Sequence, residues 1–172
     1  GALVADNGID FDGSTSSRFL VAGSVSGLTG SLSMFSASVR DTSGHPVSLS
    51  NSSSNSRYFA IQEAGSTSVA NPRNTANITA SDSVSGSTRL TFALTTGATS
   101  TSAGALGSAV TTSTSDYGDD FSGSNLDQIA IGVLRTVSPT GYLNGRIREI
   151  LVYTSDQTAN RTAIEANIGE AY

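Results

Sequence analysis

The chain has 172 residues, enough for one domain to bury a sizeable core without staples, and no cysteine, which excludes disulfides and thiolate metal centres. Its net charge is −5 with only 13% charged residues, and all nine basic residues are scattered arginines. That balance argues against a nucleic-acid partner.

Serine and threonine make up roughly three residues in ten, a β-leaning and weakly charged surface common on secreted and virion proteins. No apolar run approaches the ~18 residues that a membrane span needs, and no signal peptide is visible. The first residue is Gly1 rather than Met, as expected of a processed product or a fragment of a longer polypeptide.

The predicted elements are short strands separated by turn chemistry. Ile9 and Phe11 alternate with Asp10 and Asp12, and Asp12-Gly13 makes a turn. Arg18 to Ala22 is a second strand, and Gly23 to Gly30 is loop. Leu32 to Arg40 carries apolar residues first at Leu32 and Met34, then at Phe35, Ala37 and Val39, a change of phase that predicts a bulge at Met34-Phe35. His45 beside Pro46 reads as loop. Val47 to Leu49 and Arg57 to Gln62 are strands flanking the polar loop Ser50 to Ser56. Pro72 and Asn74 mark a loop, and Ala76 to Ala80 pairs weakly. Arg89 to Leu94 alternates, with Leu90, Phe92 and Leu94 inward. Gly97 to Ser115 is nearly all Thr, Ser, Ala and Gly, and Gln128 to Leu134 is the penultimate strand.

The last stretch is the most strongly patterned. Across Gly145 to Tyr153, an unbroken strand puts Ile147, Glu149, Leu151 and Tyr153 on one face and Arg146, Arg148, Ile150 and Val152 on the other. The apolar pair Ile150 and Val152 then needs a cover. Ser155, Asp156 and Thr158 offer helix-starting oxygens, and Asn160, Ile164, Ile168 and Tyr172 recur every four residues, with Ala163 and Ala171 alongside. These predict a helix over 159–168 that docks on the strand. About a dozen strands and one terminal helix make a single all-β domain over 1–172, a two-sheet antiparallel jelly-roll sandwich with one short C-terminal α-helix.

Gly145-Arg-Ile-Arg-Glu-Ile-Leu-Val-Tyr153, followed by Arg161-Thr-Ala-Ile-Glu165 and Tyr172, resembles the C-terminal signature of concanavalin A-like (laminin-G-like) jelly-roll domains. Gly8-Ile-Asp-Phe-Asp-Gly-Ser14 resembles the matching first strand and turn. The resemblance implies that the low-complexity run Gly97 to Ser115 is a hairpin. It also implies a large aromatic near the middle of Leu32 to Arg40, where this chain has Ser36, Ala37 and Ser38.

A glycosidase needs two carboxyls across the scissile bond. Glucanases of this fold carry a Glu-x-Asp-x-x-Glu run, and nothing here matches it. Asp10 and Asp12 share a strand face beside a turn and read as a solvated edge. His45 has no nucleophile partner in the pattern. Glu149, flanked by Ile147 and Leu151, reads as a buried charge paired with an arginine or backbone amides. The expectation is a non-enzyme.

No cofactor is required by these patterns; the candidate metal is Ca²⁺ at Asp116, Asp119 and Asp120, with Asp127 after them, since calcium takes several hard oxygens from a flexible loop. Asp-Gly clusters are also ordinary turn formers. For sugars, the candidate stacking platforms are Tyr58, Tyr117 and Tyr142. The expected binding surface is a loop rim including Asp116 to Asp120 and Asp82 rather than a deep cleft. The first functional expectation is a structural or adhesion module in an oligomeric assembly on a bacteriophage particle, as a capsid decoration or tail-fibre domain at the virion surface. Its partners there would be other virion or surface proteins and cell-surface glycans. The alternative is an extracellular carbohydrate-binding module of a secreted bacterial protein.

Overall fold

A computed structural model describes residues 3–4, 8–13, 20–22, 25, 31–55, 58–64, 67–73, 76–81, 88–96, 100–106, 110–113 and 126–171. Thirteen strands are described among them: β1 (Leu3–Val4), β2 (Ile9–Asp12), β3 (Leu20–Ala22), β4 (Leu32–Arg40), β5 (Gly44–Ser50), β6 (Tyr58–Ala64), β7 (Thr67–Arg73), β8 (Ala76–Ser81), β9 (Arg89–Thr95), β10 (Thr101–Ala105), β11 (Thr111–Ser113), β12 (Gln128–Ile131) and β13 (Asn144–Tyr153). A 3-10 turn, Thr158–Asn160, leads into the helix α1 (Arg161–Gly169). One sheet has the order β1-β2-β13-β4-β9-β10-β11, the other β3-β12-β5-β6-β7-β8, and every described pairing is antiparallel. This is the expected jelly-roll sandwich. The run of Thr, Ser, Ala and Gly does form a hairpin, β10 with β11.

The core between the sheets joins Leu32 and Met34 of β4, Ala93 of β9 and Ala103 of β10 to Val47, Leu49, Phe59 and Ile61 of the opposite sheet. A second apolar cluster lies on the other face of the seven-stranded sheet. There Phe35, Ala37, Leu90, Phe92 and Leu94 pack with Ile168, and Leu151, Tyr153 and Ile164 close around them. Phe35 sits edge-on to Tyr153, ring centres 6.1 Å apart, and tilted to Phe92 at 6.3 Å. From Leu32 to Ala37 both faces of β4 are therefore dry, which explains its two apolar phases without a bulge. Its pairing with β9 is unbroken from Leu32 to Ser38.

The bulge lies in the neighbouring strand instead. The β13–β4 register shifts between Ile147 and Glu149, so Arg148 is the extra residue. A one-residue slip exchanges the faces of everything beyond it. Ile147 points inward with Phe11 and Leu143, and so do Ile150 and Val152 after the bulge. Leu151 and Tyr153 point outward and meet the helix. The expectation that the helix covers Ile150 and Val152 is thus corrected: it covers Leu151 and Tyr153.

Three further expectations change. Leu90, Phe92 and Leu94 are buried, but under the helix rather than between the sheets. His45 and Pro46 belong to β5, not to a loop, and His45 is 4% exposed. Glu149 is only partly buried, whereas Glu63 and Glu165 are the buried glutamates. Glu63 faces the sandwich interior, where its carboxylate accepts the Ser38 hydroxyl. Its register partner Gly44 and the core residues Phe59 and Ile61 flank it.

At the C terminus Asp156 accepts both the amide and the hydroxyl of Thr158 at 2.9 and 2.5 Å, which starts the 3-10 turn. Ser33 accepts the Gln157 amide at 3.0 Å and ties that turn to β4. Arg161 lies over the Phe92 ring, 5.0 Å from its centre, and pairs with Glu165 four residues on. Burial raises the Glu165 carboxyl above its usual range, against the opposing charge of Arg161.

Candidate functional site

The helix covers only part of the outer face of the seven-stranded sheet. Next to it, on the Asp10 side, the sheet holds an open depression of about 340 Å³ lined by Asp10, Phe11, Val39, Asp41, Gly145, Arg146 and Arg148. Its lining follows from the register. Arg146 stands opposite Asp10 on β2 and Val39 on β4, so three central strands each send one side chain outward at the same level. The bulge then delivers Arg148 to the same hollow.

Asp10 and Arg146 form a fixed pair. Arg146 Nε donates to Oδ1 at 2.6 Å and Nη2 to Oδ2 at 3.0 Å, the two-pronged geometry of a strong guanidinium–carboxylate contact. The Asp10 carboxyl is held below its usual range, first by that hydrogen bond, with burial opposing. The stem of Arg146 lies flat on the backbone at Gly8, where a Cβ would come within 2.6 Å of Arg146 Cγ. Only glycine permits that approach. Asp41 is exposed at the opposite wall, held by its amide donating to the Asn144 carbonyl at 2.9 Å. Two aspartates and two arginines thus present acceptors and forked donors around a shallow polar hollow, with Val39 as an apolar patch.

Of the sequence-predicted site residues, Tyr142 is partly exposed, in the segment leading into β13 at the Asp41–Asn144 end of the sheet. Tyr58 is corrected: it is 8% exposed, packed with Ala60 and Leu134, and burial raises its phenol. Its ring offers no open face for a sugar. Tyr117, Asp116, Asp119 and Asp120 lie outside the described residues, as does Asp82. Asp127 is described, and both its oxygens are taken by Ser52, from the amide at 2.8 Å and the hydroxyl at 2.6 Å. Among the described residues no group of three metal-ligating side chains comes together. Asp10 is solvent-accessible as expected, but it is not on a sheet edge: β2 lies between β1 and β13, and its carboxylate is paired. The sequence shows opposite charges at alternating positions of two separate strands, but nothing local marks β2 and β13 as neighbours.

This layered arrangement is the concanavalin A-like, laminin-G-like jelly roll. No protein-family model matches the chain, and no curated protein matches it by sequence. Solved structures do. A carbohydrate-binding module (CBM40) of the Ruminococcus gnavus IT-sialidase, bound to α2,3-sialyllactose, is 13% identical with a TM-score of 0.67, covering 94% of this chain and 97% of that one. The NanB sialidase of Streptococcus pneumoniae matches at 13% identity and TM-score 0.67 over 91% of this chain. The chain spans only 27% of that sialidase. Domains LG4-5 of the mouse laminin α1 chain match at 15% identity and TM-score 0.64, with 87% of this chain and 41% of that one covered. At these identities the likeness establishes the fold.

Proposed function

We propose that the chain is a non-catalytic glycan-binding module of an extracellular protein or particle, with the Asp10–Asp41–Arg146–Arg148 depression as its binding face. The observation that carries this reading is the depression itself. It is shallow, polar and framed by a pre-positioned ion pair, on a fold that end to end matches a module solved with a sialylated oligosaccharide. Fixed carboxylates and guanidinium groups suit hydroxyl-rich ligands because their donors and acceptors are already oriented.

Several features support the non-catalytic part. Asp10 is held ionised by Arg146 and is unsuited to be the protonated acid that glycoside hydrolysis requires. Glu165, whose carboxyl is raised, is buried on the helix itself beside Arg161, away from the depression lining. Display on a virion, as a capsid decoration or tail-fibre domain within an oligomeric assembly, rests on the weakly charged, Ser/Thr-rich composition, the lack of a recognisable catalytic carboxylate run and the family resemblance of the sequence.

A glycan array followed by calorimetry tests the reading. The expected result is a discrete set of bound glycans, with binding lost in Arg148→Ala and in Asp41→Ala while melting temperature holds. A blank array, or binding indifferent to both substitutions, would overturn it. Calcium belongs to the same test. If Asp116, Asp119 and Asp120 hold the ion, millimolar calcium raises the melting temperature, since a ligand that binds only the folded state stabilises it; an unchanged melting temperature removes the metal.

A further inference from the structure

His45 is the chain's only histidine, and it sits where two parts of the fold are joined. Its backbone amide donates to the Gly141 carbonyl at 3.1 Å, and its ring Nδ1 lies 3.1 Å from the same oxygen. A carbonyl can only accept, so Nδ1 carries the hydrogen and Nε2 is left as a lone pair. That Nε2 is buried and has no hydrogen-bond partner among the described residues.

The segment held in this way anchors further contacts. The Leu143 amide donates to the Gly132 carbonyl at 2.9 Å, and the Leu143 carbonyl accepts from Gly13 at 2.9 Å. The next carbonyl, of Asn144, accepts from Asp41 at 2.9 Å and Thr42 at 3.4 Å. The segment also lies directly on β5: a Cβ at Gly44 would come within 2.5 Å of the Leu143 Cα.

We propose that His45 is an acid-sensitive latch: while neutral it ties the 141–143 segment to β5, and on taking up a proton it releases that segment and, through Asn144, the Asp41 wall of the depression. The reason is geometric. A second proton must go to Nε2, which creates a buried cation with a donor that has no acceptor. The ring relieves this only by turning toward water, and turning breaks the Nδ1–H···O bond to Gly141.

The titratable and charged groups on the surrounding elements are Tyr142 on the segment itself, Asp12 on β2 opposite Asn144, Asp41 and Arg40 where β4 turns toward β5, Glu63 on β6 opposite Gly44, Arg89 on β9 opposite Ser38, and Arg135 beside the Leu134–Thr140 bridge. Glu63 accepts the Ser38 hydroxyl on the interior side. Burial lowers the His45 pKa from 6.5 to about 4, with the Gly141 hydrogen bond opposing. Above 6.5 the ring is neutral whether the latch is open or closed, so pH has no effect. Between 6.5 and about 4 only the open form binds the proton, and the opening equilibrium rises roughly tenfold per pH unit.

The latch is independent of what the depression binds. An NMR titration reads it directly, because a lone histidine gives unambiguous ring signals. The expected result is a ring titrating well below 6.5. Amide protection at Leu143 and Asp41, corrected for intrinsic exchange, falls roughly tenfold per pH unit between about 6 and 4.5, while Ala93 on β9 and Ala103 on β10 stay protected. In His45→Gln that pH dependence disappears; if the variant does not fold, the wild-type ring titration and exchange pattern decide alone. Ring titration near the ordinary value would overturn the proposal. So would protection that is constant with pH, that falls equally on β9 and β10, or that keeps its pH dependence in the variant.

Discussion

The docking of α1 is the packing claim most open to measurement, and Ile168→Ala tests it. Ile168 is 2% exposed and sits among Phe35, Ala37, Leu90, Phe92 and Leu94. The substitution removes three carbons, worth about 2.4 kcal/mol of transfer free energy at ~0.8 kcal/mol each. The cavity left behind adds to this. Here the addition is small, because Ile168 already borders a hollow of about 110 Å³ shared with Leu106, Thr88 and Gly169, so contacts on that side are missing from the start. The expected loss is about 2.5–3.5 kcal/mol. Ile164 is only partly buried at the edge of the same cluster, and Ile164→Ala should cost about half as much. Urea unfolding followed by circular dichroism measures both, with an unchanged m-value confirming that the native state is intact. A loss at Ile168 within about 0.5 kcal/mol, or an Ile164 loss equal to it, would show that the helix does not dock through Ile168.

Three other perturbations have defined outcomes. Gly44→Ala places a Cβ against the Leu143 Cα and amide and the Tyr142 carbonyl, all backbone atoms, and should destabilise by more than about 2 kcal/mol in the same denaturation assay. Asp10→Asn removes a carboxylate whose pKa is depressed. The wild-type advantage should be present above pH 3.8 and vanish as pH falls below that value, and should stay under about 1 kcal/mol because the pair is substantially exposed. Glu165 has the opposite sign: its raised pKa means that the folded state favours the protonated carboxyl. Stability relative to Glu165→Gln should be greatest below pH 4.5 and decline as pH rises, which melting temperatures across a pH series will show.

The parts of this fold legible in the sequence were those fixed by local pattern. Ile9 and Phe11 against Asp10 and Asp12 gave β2, and the Asp156–Thr158 start with Ile164 and Ile168 gave the helix. The errors came from long-range register. Two apolar phases in β4 looked like a bulge because a strand dry on both faces has the same signature as a strand that slips by one residue. The true bulge, at Arg148, interrupts a sequence whose alternation reads as unbroken, and nothing local marks it. His45 looked like loop because it stands beside proline, yet β5 carries Pro46 where the pairing with β6 is already irregular. The candidate site was legible only as outward charges on separate strands. Its assembly needed the β2–β13–β4 order.

That bulge also explains why the outer face of the seven-stranded sheet has two characters. Before it, β13 sends Arg146 outward between Asp10 and Val39, and the face is wet. After it, the phase is exchanged, Leu151 and Tyr153 come outward, and the helix has an apolar bed of Phe35, Phe92 and Leu94 to cover. An unbroken strand from Arg146 onward would put Ile150 and Val152 under the helix and turn Leu151 inward, mixing polar and apolar positions on both faces. One extra residue therefore lets a single ten-residue strand serve a polar depression at one end and a helix-covered core at the other. Arg148, the residue that makes the exchange, is itself part of the depression lining. The extra residue of the bulge therefore stands at the boundary between the polar depression and the helix-covered half of the sheet.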